Sequence, residues 1–121
     1  MKGLILVAHG SRREASNDEV RELAGRLSRQ PGNYDLVRPA FLELAEPSIP
    51  DAIQAAVDNG ATRVVILPYF LSAGRHVVKD IPAEVEKARE VLPGVDIHIL
   101  PYLGIAEGIP ALLNELASRP F

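Results

Sequence analysis

Hydrophobic and polar positions alternate along the chain with two different periods. Four short apolar runs predict strands: LILVA at residues 4–8, LVRPAFL at 36–42, RVVILPYF at 63–70 and VDIHILP at 95–101. After each run the apolar positions recur at helical spacing. Val20, Leu23, Ala24 and Leu27 follow Ser16-Asn17-Asp18-Glu19, which has the form of a capping box, and Pro31-Gly32 ends that stretch. Ile49, Ile53, Ala56 and Val57 form one face of a second helix, which follows Pro47-Ser48 and stops at Gly60. Asp80, Pro82 and Glu84 open a third, marked by Ile81, Val85, Ala88 and Leu92 and stopped by Pro93-Gly94. Ile109, Leu112, Leu113 and Leu116 carry a fourth to the C-terminus. The predicted order is βαβαβαβα.

Strands alternating with helices predict an α/β fold with a single four-stranded parallel sheet, right-handed crossovers and helices on both faces. The first and third runs are continuously apolar, as strands covered on both faces are. The fourth alternates Val95, Ile97 and Ile99 with Asp96 and His98, and the second contains Pro39, which cannot donate a ladder hydrogen bond. Those two are edges, so the predicted strand order is 2-1-3-4, a flavodoxin-like half. That order reverses direction between strands one and three. Ligands of open α/β sheets bind at such a switch point, outside the carboxyl ends of the strands. The crevice lies between His9 and the loop LSAGRHVVKD, residues 71–80.

Composition narrows what can occupy it. A chain of 121 residues with 47% hydrophobic side chains has the size and core of one domain, residues 1–121. Sixteen acidic residues against thirteen basic ones give a net charge of -3, so no global positive field recruits nucleic acid or an anionic membrane. The absence of cysteine excludes disulfides, thiolate metal sites and cysteine nucleophiles, and makes a cytoplasmic location the default. The opening MKGLILVAHG is too short an apolar run for a signal peptide, and no segment approaches the roughly 20 apolar residues of a membrane helix.

The candidate chemistry gathers at the strand ends. His9 ends strand one and is followed by Gly10, which lets the backbone turn and leaves room for a ligand. His76 follows strand three, beside Gly74 and Arg75. Each histidine alone is compatible with an incidental hydrogen-bonding role, but two at one switch point favour a pair that handles a divalent metal ion. Glu43 ends strand two, next to the strand bearing His9. It reads as a general base, a third metal contact or a solvated strand-end charge. Glu46 precedes the second helix, where an acid already favours the macrodipole. Arg12, Arg13, Arg75 and Lys79 surround the crevice with positive charge suited to a carboxylate or phosphate ligand. Tyr69 and Tyr102 stand at strand ends as packing residues or cleft walls, and His98 points outward from an edge strand without an assigned role. No phosphate-binding G-x-x-x-x-G-K-[ST] or dinucleotide G-x-G-x-x-G occurs, and Ser11 lacks a nucleophile-elbow context.

The segments LILVAHGSRREASNDEV, AFLELAEPSIPDAI and VVILPYFLSAGRHVVKDIP resemble the small-type sirohydrochlorin chelatases of the class II, ATP-independent chelatase family. The resemblance runs from strand one through helix three. It implies a lyase that inserts a divalent ion, cobalt first and nickel or iron as alternatives, into sirohydrochlorin in tetrapyrrole or cobalamin biosynthesis. It implies no cofactor beyond the metal substrate. His9 and His76 become the metal-handling histidines, with Glu43 their catalytic partner and Glu46 the second candidate carboxylate. Gly10, Ser11, Arg12, Arg13, Gly74 and Arg75 become the surface that meets the tetrapyrrole. It also implies a homodimer, since larger class II chelatases carry two such lobes facing one cleft. Two alternatives stand beside it. One is a carrier that binds metal or tetrapyrrole without insertion. The other is a histidine-dependent phosphatase or mutase, disfavoured because Ala8 stands where an arginine should precede the histidine.

Overall fold

The computed structural model describes residues 1–120; residue 121 and the side chain of His76 lie outside the described part. The elements follow the order β1 (Lys2–Ala8), α1 (Glu14–Ser28), β2 (Leu36–Phe41), α2 (Ile49–Asp58), β3 (Arg63–Pro68), α3 (Ile81–Val91), β4 (Asp96–Ile99) and α4 (Gly108–Ala117). A π-helical turn, His76–Asp80, runs into α3, and a 3-10 turn, Leu103–Ile105, precedes α4. The four strands are parallel in the order β2-β1-β3-β4, as the edge argument predicts. Gly3 is opposite Leu36 on one side and Val64 on the other, and Ile66 is opposite Ile99.

Each face of the sheet is covered differently. Ile5, Val7, Ala40, Val64, Ile66 and Ile97 meet Ile53, Ala56, Ile81 and Val85 beneath α2 and α3 in one buried cluster. Burying a side chain of this size contributes about 1.5–3 kcal/mol relative to solvent, so this face dominates the core. The other face holds a smaller cluster, Leu4, Val37 and Val65, with Leu27 of α1 and Tyr34 against it. Helices therefore lie on both faces, two against one. α4 joins neither layer: its residues are exposed apart from half-buried Ile109, and its main neighbour is the 3-10 turn.

Two local expectations are corrected. Helix α1 does not start behind a Ser16 capping box. It starts at Glu14, with Arg13 at the N-cap and no side-chain cap, so Ser16 lies inside the first turn. The turn before the helix is closed instead by Ser11, whose Oγ accepts from the Arg13 N–H at 3.0 Å. The segment 71–80 is not loop throughout, because the carbonyl of Gly74 accepts from Val77 and Val78 (3.2 and 3.1 Å) and winds the chain into the π turn. The second helix follows Pro47-Ser48 as expected, and Ser48 caps it, its Oγ accepting from the Asp51 N–H at 3.2 Å.

Candidate functional site

The β1–β2 ladder continues beyond both strands. Leu42 N–H donates to the Ala8 carbonyl at 2.9 Å and Glu43 N–H to the His9 carbonyl at 3.0 Å. This extension sets His9 beside Glu43, and Nε2 of the imidazole lies 2.9 Å from Oε1 of the carboxylate. Both side chains are open to solvent, at 43% and 54% exposure, so the pair is accessible to a ligand. An ionised carboxylate only accepts, so across this contact the His9 Nε2–H donates to Glu43 Oε1.

Gly10 makes the approach possible. Its φ is 96°, a left-handed conformation, and a Cβ there would lie 1.7 Å from the Glu43 carbonyl oxygen. No residue with a side chain fits between the His9 turn and the Glu43 backbone. Immediately after Glu43, Leu44 takes a φ of 65°, which costs a non-glycine residue roughly 1–2 kcal/mol. The chain bends there so that the 43–47 loop turns back towards α2.

The loop after His9 is held by a residue the sequence reading left inside its capping box. Asn17 is only 1% exposed and is the buried polar side chain among the described residues. Its Oδ1 accepts from the Ser11 N–H at 2.9 Å, and its Nδ2 donates to the Ser11 carbonyl at 2.8 Å and to Glu14 Oε2 at 3.2 Å. Glu14 in turn accepts from Arg21. Arg21 donates to Asp18 and, at 2.9 Å, to the Glu46 carbonyl, while its guanidinium lies 5.1 Å from the centre of the Phe41 ring. These contacts hold the Glu14 carboxyl below its usual range, Arg21 first and Asn17 second, and hold Arg21 above its own. Arg21 carries a signal that is visible only in retrospect: it recurs at helical spacing with Glu14 and Asp18.

The remaining predicted residues divide. Ser11 is half-buried by its ties to Asn17 and Arg13, and Arg12 and Arg13 are exposed at the start of α1. Gly74 and Arg75 are exposed just before the π turn, and His76 begins that turn, its side chain lying outside the described part. Asp80, the last residue of the turn, lines a cavity of about 240 Å³ together with Leu42, Glu43, Ala83 and Glu84. Lys79 is exposed on the same turn. Glu46 reaches the network through its carbonyl. Tyr69 lines a larger cavity, about 420 Å³, with Ser16, Glu19, Val20, Leu23 and Arg26 of α1, away from Glu43. Its size is no guide to the chemistry, because it contains neither histidine nor the strand-end carboxylate. Tyr102 is half-buried before the 3-10 turn, and His98 is exposed on β4. Among the described residues no group of three or more His, Asp or Glu side chains stands ready to enclose a metal ion.

The geometry is therefore an imidazole–carboxylate pair on parallel strand ends, with an arginine-bearing loop on one side and a helical turn on the other. The profile of the CbiX family matches residues 3–119. The chain belongs to the CbiX family. Among CbiX relatives it is 44% identical over 102 residues to the sirohydrochlorin ferrochelatase, chloroplastic, of Arabidopsis thaliana, covering 84% of this chain and 45% of that one. It is 33% identical over 115 residues to the sirohydrochlorin cobaltochelatase of Sulfurisphaera tokodaii, covering 95% and 90%. The crystal structure of a CbiX protein from Marinobacter aquaeolei VT8 superposes with a TM-score of 0.81 at 29% identity, over 97% of this chain and 94% of that one. The chain thus spans about half the length of some CbiX relatives and nearly all of others.

Proposed function

We propose that this chain inserts a divalent metal ion, cobalt first and nickel or iron(II) next, into sirohydrochlorin without ATP. The observation that carries the reading is the His9–Glu43 pair, Nε2 to Oε1 at 2.9 Å, on the switch-point strand ends of a CbiX fold. Relatives named for both cobalt and iron insertion support the substrate and leave the metal open.

Insertion exchanges the ion for both inner pyrrole protons, so the site must hold a partly dehydrated cation and accept protons. His9 supplies a neutral nitrogen donor. A carboxylate bonded to one ring nitrogen fixes the ring's orientation and strengthens it as a ligand. Glu43 is also the base that takes up the released protons, within reach of solvent that carries them away. His76, at the head of the π turn, is the second metal-handling histidine by sequence position. Arg12, Arg13 and Arg75 receive the carboxylate arms of the macrocycle, Ser11 and Gly74 leave backbone room for its plane, and Gly10, whose missing side chain makes room for the Glu43 backbone, holds the turn that carries them. The reaction needs no cofactor beyond the ion.

The chain acts as one domain and as a homodimer. Two copies supply the two lobes that longer relatives carry in one chain, and the exposed apolar face of α4 supports a second copy as its cover. The test is anaerobic insertion followed by absorption, with cobalt, nickel and iron(II) in turn, for the parental protein and a His9→Ala, His76→Ala double variant. Acceleration that depends on the histidines supports the chelatase and ranks its metals. Tetrapyrrole binding without acceleration replaces it with a carrier.

A further inference from the structure

We propose that Arg21 and Asn17 are positioning residues: from α1 they hold the loop after His9 and the loop after Glu43 in register. The proposal rests on the chelatase reading of that pair and assigns residues that the reading does not use.

The contacts form one continuous path. Asn17 grips both backbone groups of Ser11, two positions beyond His9, and passes the connection to Glu14. Glu14 accepts from Arg21, and Arg21 ends on the carbonyl of Glu46, three positions beyond Glu43. Its guanidinium also lies over Phe41, the last residue of β2. The two loops are thus joined twice, directly through His9 and Glu43 and indirectly through α1. Both carry backbone that needs holding, since Gly10 and Leu44 have positive φ.

Magnitudes separate positioning from bulk stability. Arg21 and Glu14 are 33% and 66% exposed, and ion pairs at such sites contribute little to the folding equilibrium. A displacement of about 1 Å at a reacting pair, by contrast, lowers rate on the order of 100-fold. Loss of the bridge should therefore appear in turnover before it appears in unfolding. Lysine cannot replace Arg21, because a point-like ammonium does not reproduce the fork that reaches acceptors on two segments.

Asn17 is buried, so its replacement tests folding as much as placement; the exposed partners carry the experiment. Arg21→Lys and Glu14→Gln are compared with the parent and with Glu86→Gln, which removes a similar surface pair with Arg89 on α3. Amide exchange is read at Ser11, Glu43, Ile5 and Ile66, alongside kcat and KM for cobalt insertion into sirohydrochlorin. Exchange at Ser11 and Glu43 should rise about tenfold while Ile5 and Ile66 keep the parental rate. kcat should fall on the order of 10- to 100-fold with KM for the tetrapyrrole little changed. Glu86→Gln should match the parent in both. Unchanged exchange at Ser11 and Glu43, or an equal rise at all four amides, overturns the proposal. So does parental kcat in Arg21→Lys. If the parent itself inserts no metal, the chelatase reading falls, and the exchange pattern still decides whether the bridge sets the loops.

Discussion

The tightest restriction on a single residue in this site falls on a glycine. At Gly10 a side chain meets two obstacles, a φ of 96° and the Glu43 carbonyl 1.7 Å from where its Cβ would lie. Gly10→Ala should destabilise the protein by at least about 1–3 kcal/mol from backbone strain alone, and push Glu43 away from His9. Urea unfolding reads the first effect and metal insertion the second. Gly74→Ala is the comparison: nothing lies within 4 Å of its added Cβ, so its unfolding free energy should stay within about 0.5 kcal/mol of the parent. Equal losses in the two variants would remove the steric account of Gly10. At this scale His9, Gly10 and Glu43 were legible because each stands where an apolar run stops, and strand ends at a switch point are where such sheets do chemistry. Asn17 and Arg21 were not. Nothing in Ser16-Asn17-Asp18-Glu19 distinguishes a cap from a clamp until the helix is seen to start at Glu14.

Among the elements, α1 carries the charge that responds to pH. The Glu14 carboxyl is held below the ordinary carboxylate value, chiefly by its hydrogen bond with Arg21 and then by that with Asn17. A folded pKa below the unfolded one gives stability that is present above the unfolded value and disappears as pH falls through the folded value. Glu14→Gln should therefore be less stable than the parent at neutral pH, and the two should converge as acid protonates Glu14. Thermal midpoints from pH 7 to pH 2 would show it; a gap of constant size across that range would sink the assignment. The effect should also shrink with added salt, because the pair is exposed. The strands and their order followed from apolar continuity in β1 and β3 and from Pro39 in β2, and the structure agrees. The π turn did not follow. It is one turn long, too short for a helical repeat of apolar positions to appear, and Gly74 beside polar Arg75 and Lys79 reads as loop.

The whole molecule poses a question that its single chain does not answer internally. α4 is ten residues long, below the roughly 12–15 at which isolated helices become even marginally stable in water. Its apolar side chains Leu112, Leu113 and Leu116 nevertheless remain 46–59% exposed. A short helix with a solvated apolar face needs a surface to cover it, and covering each leucine contributes up to about 1.5–3 kcal/mol. In our reading a second copy provides that surface, and the paired lobes complete the cleft for a flat tetrapyrrole. Sedimentation should then find a dimer at micromolar concentration. Leu112→Glu with Leu116→Glu should yield monomers that have lost the circular-dichroism signal of α4 while β1–β3 remain folded. Specific activity should fall on dilution through the dimer's dissociation range, because each half of the cleft separates from the other. A parental monomer with full activity at every dilution would mean that one lobe suffices, and that α4 is covered by something other than a second copy.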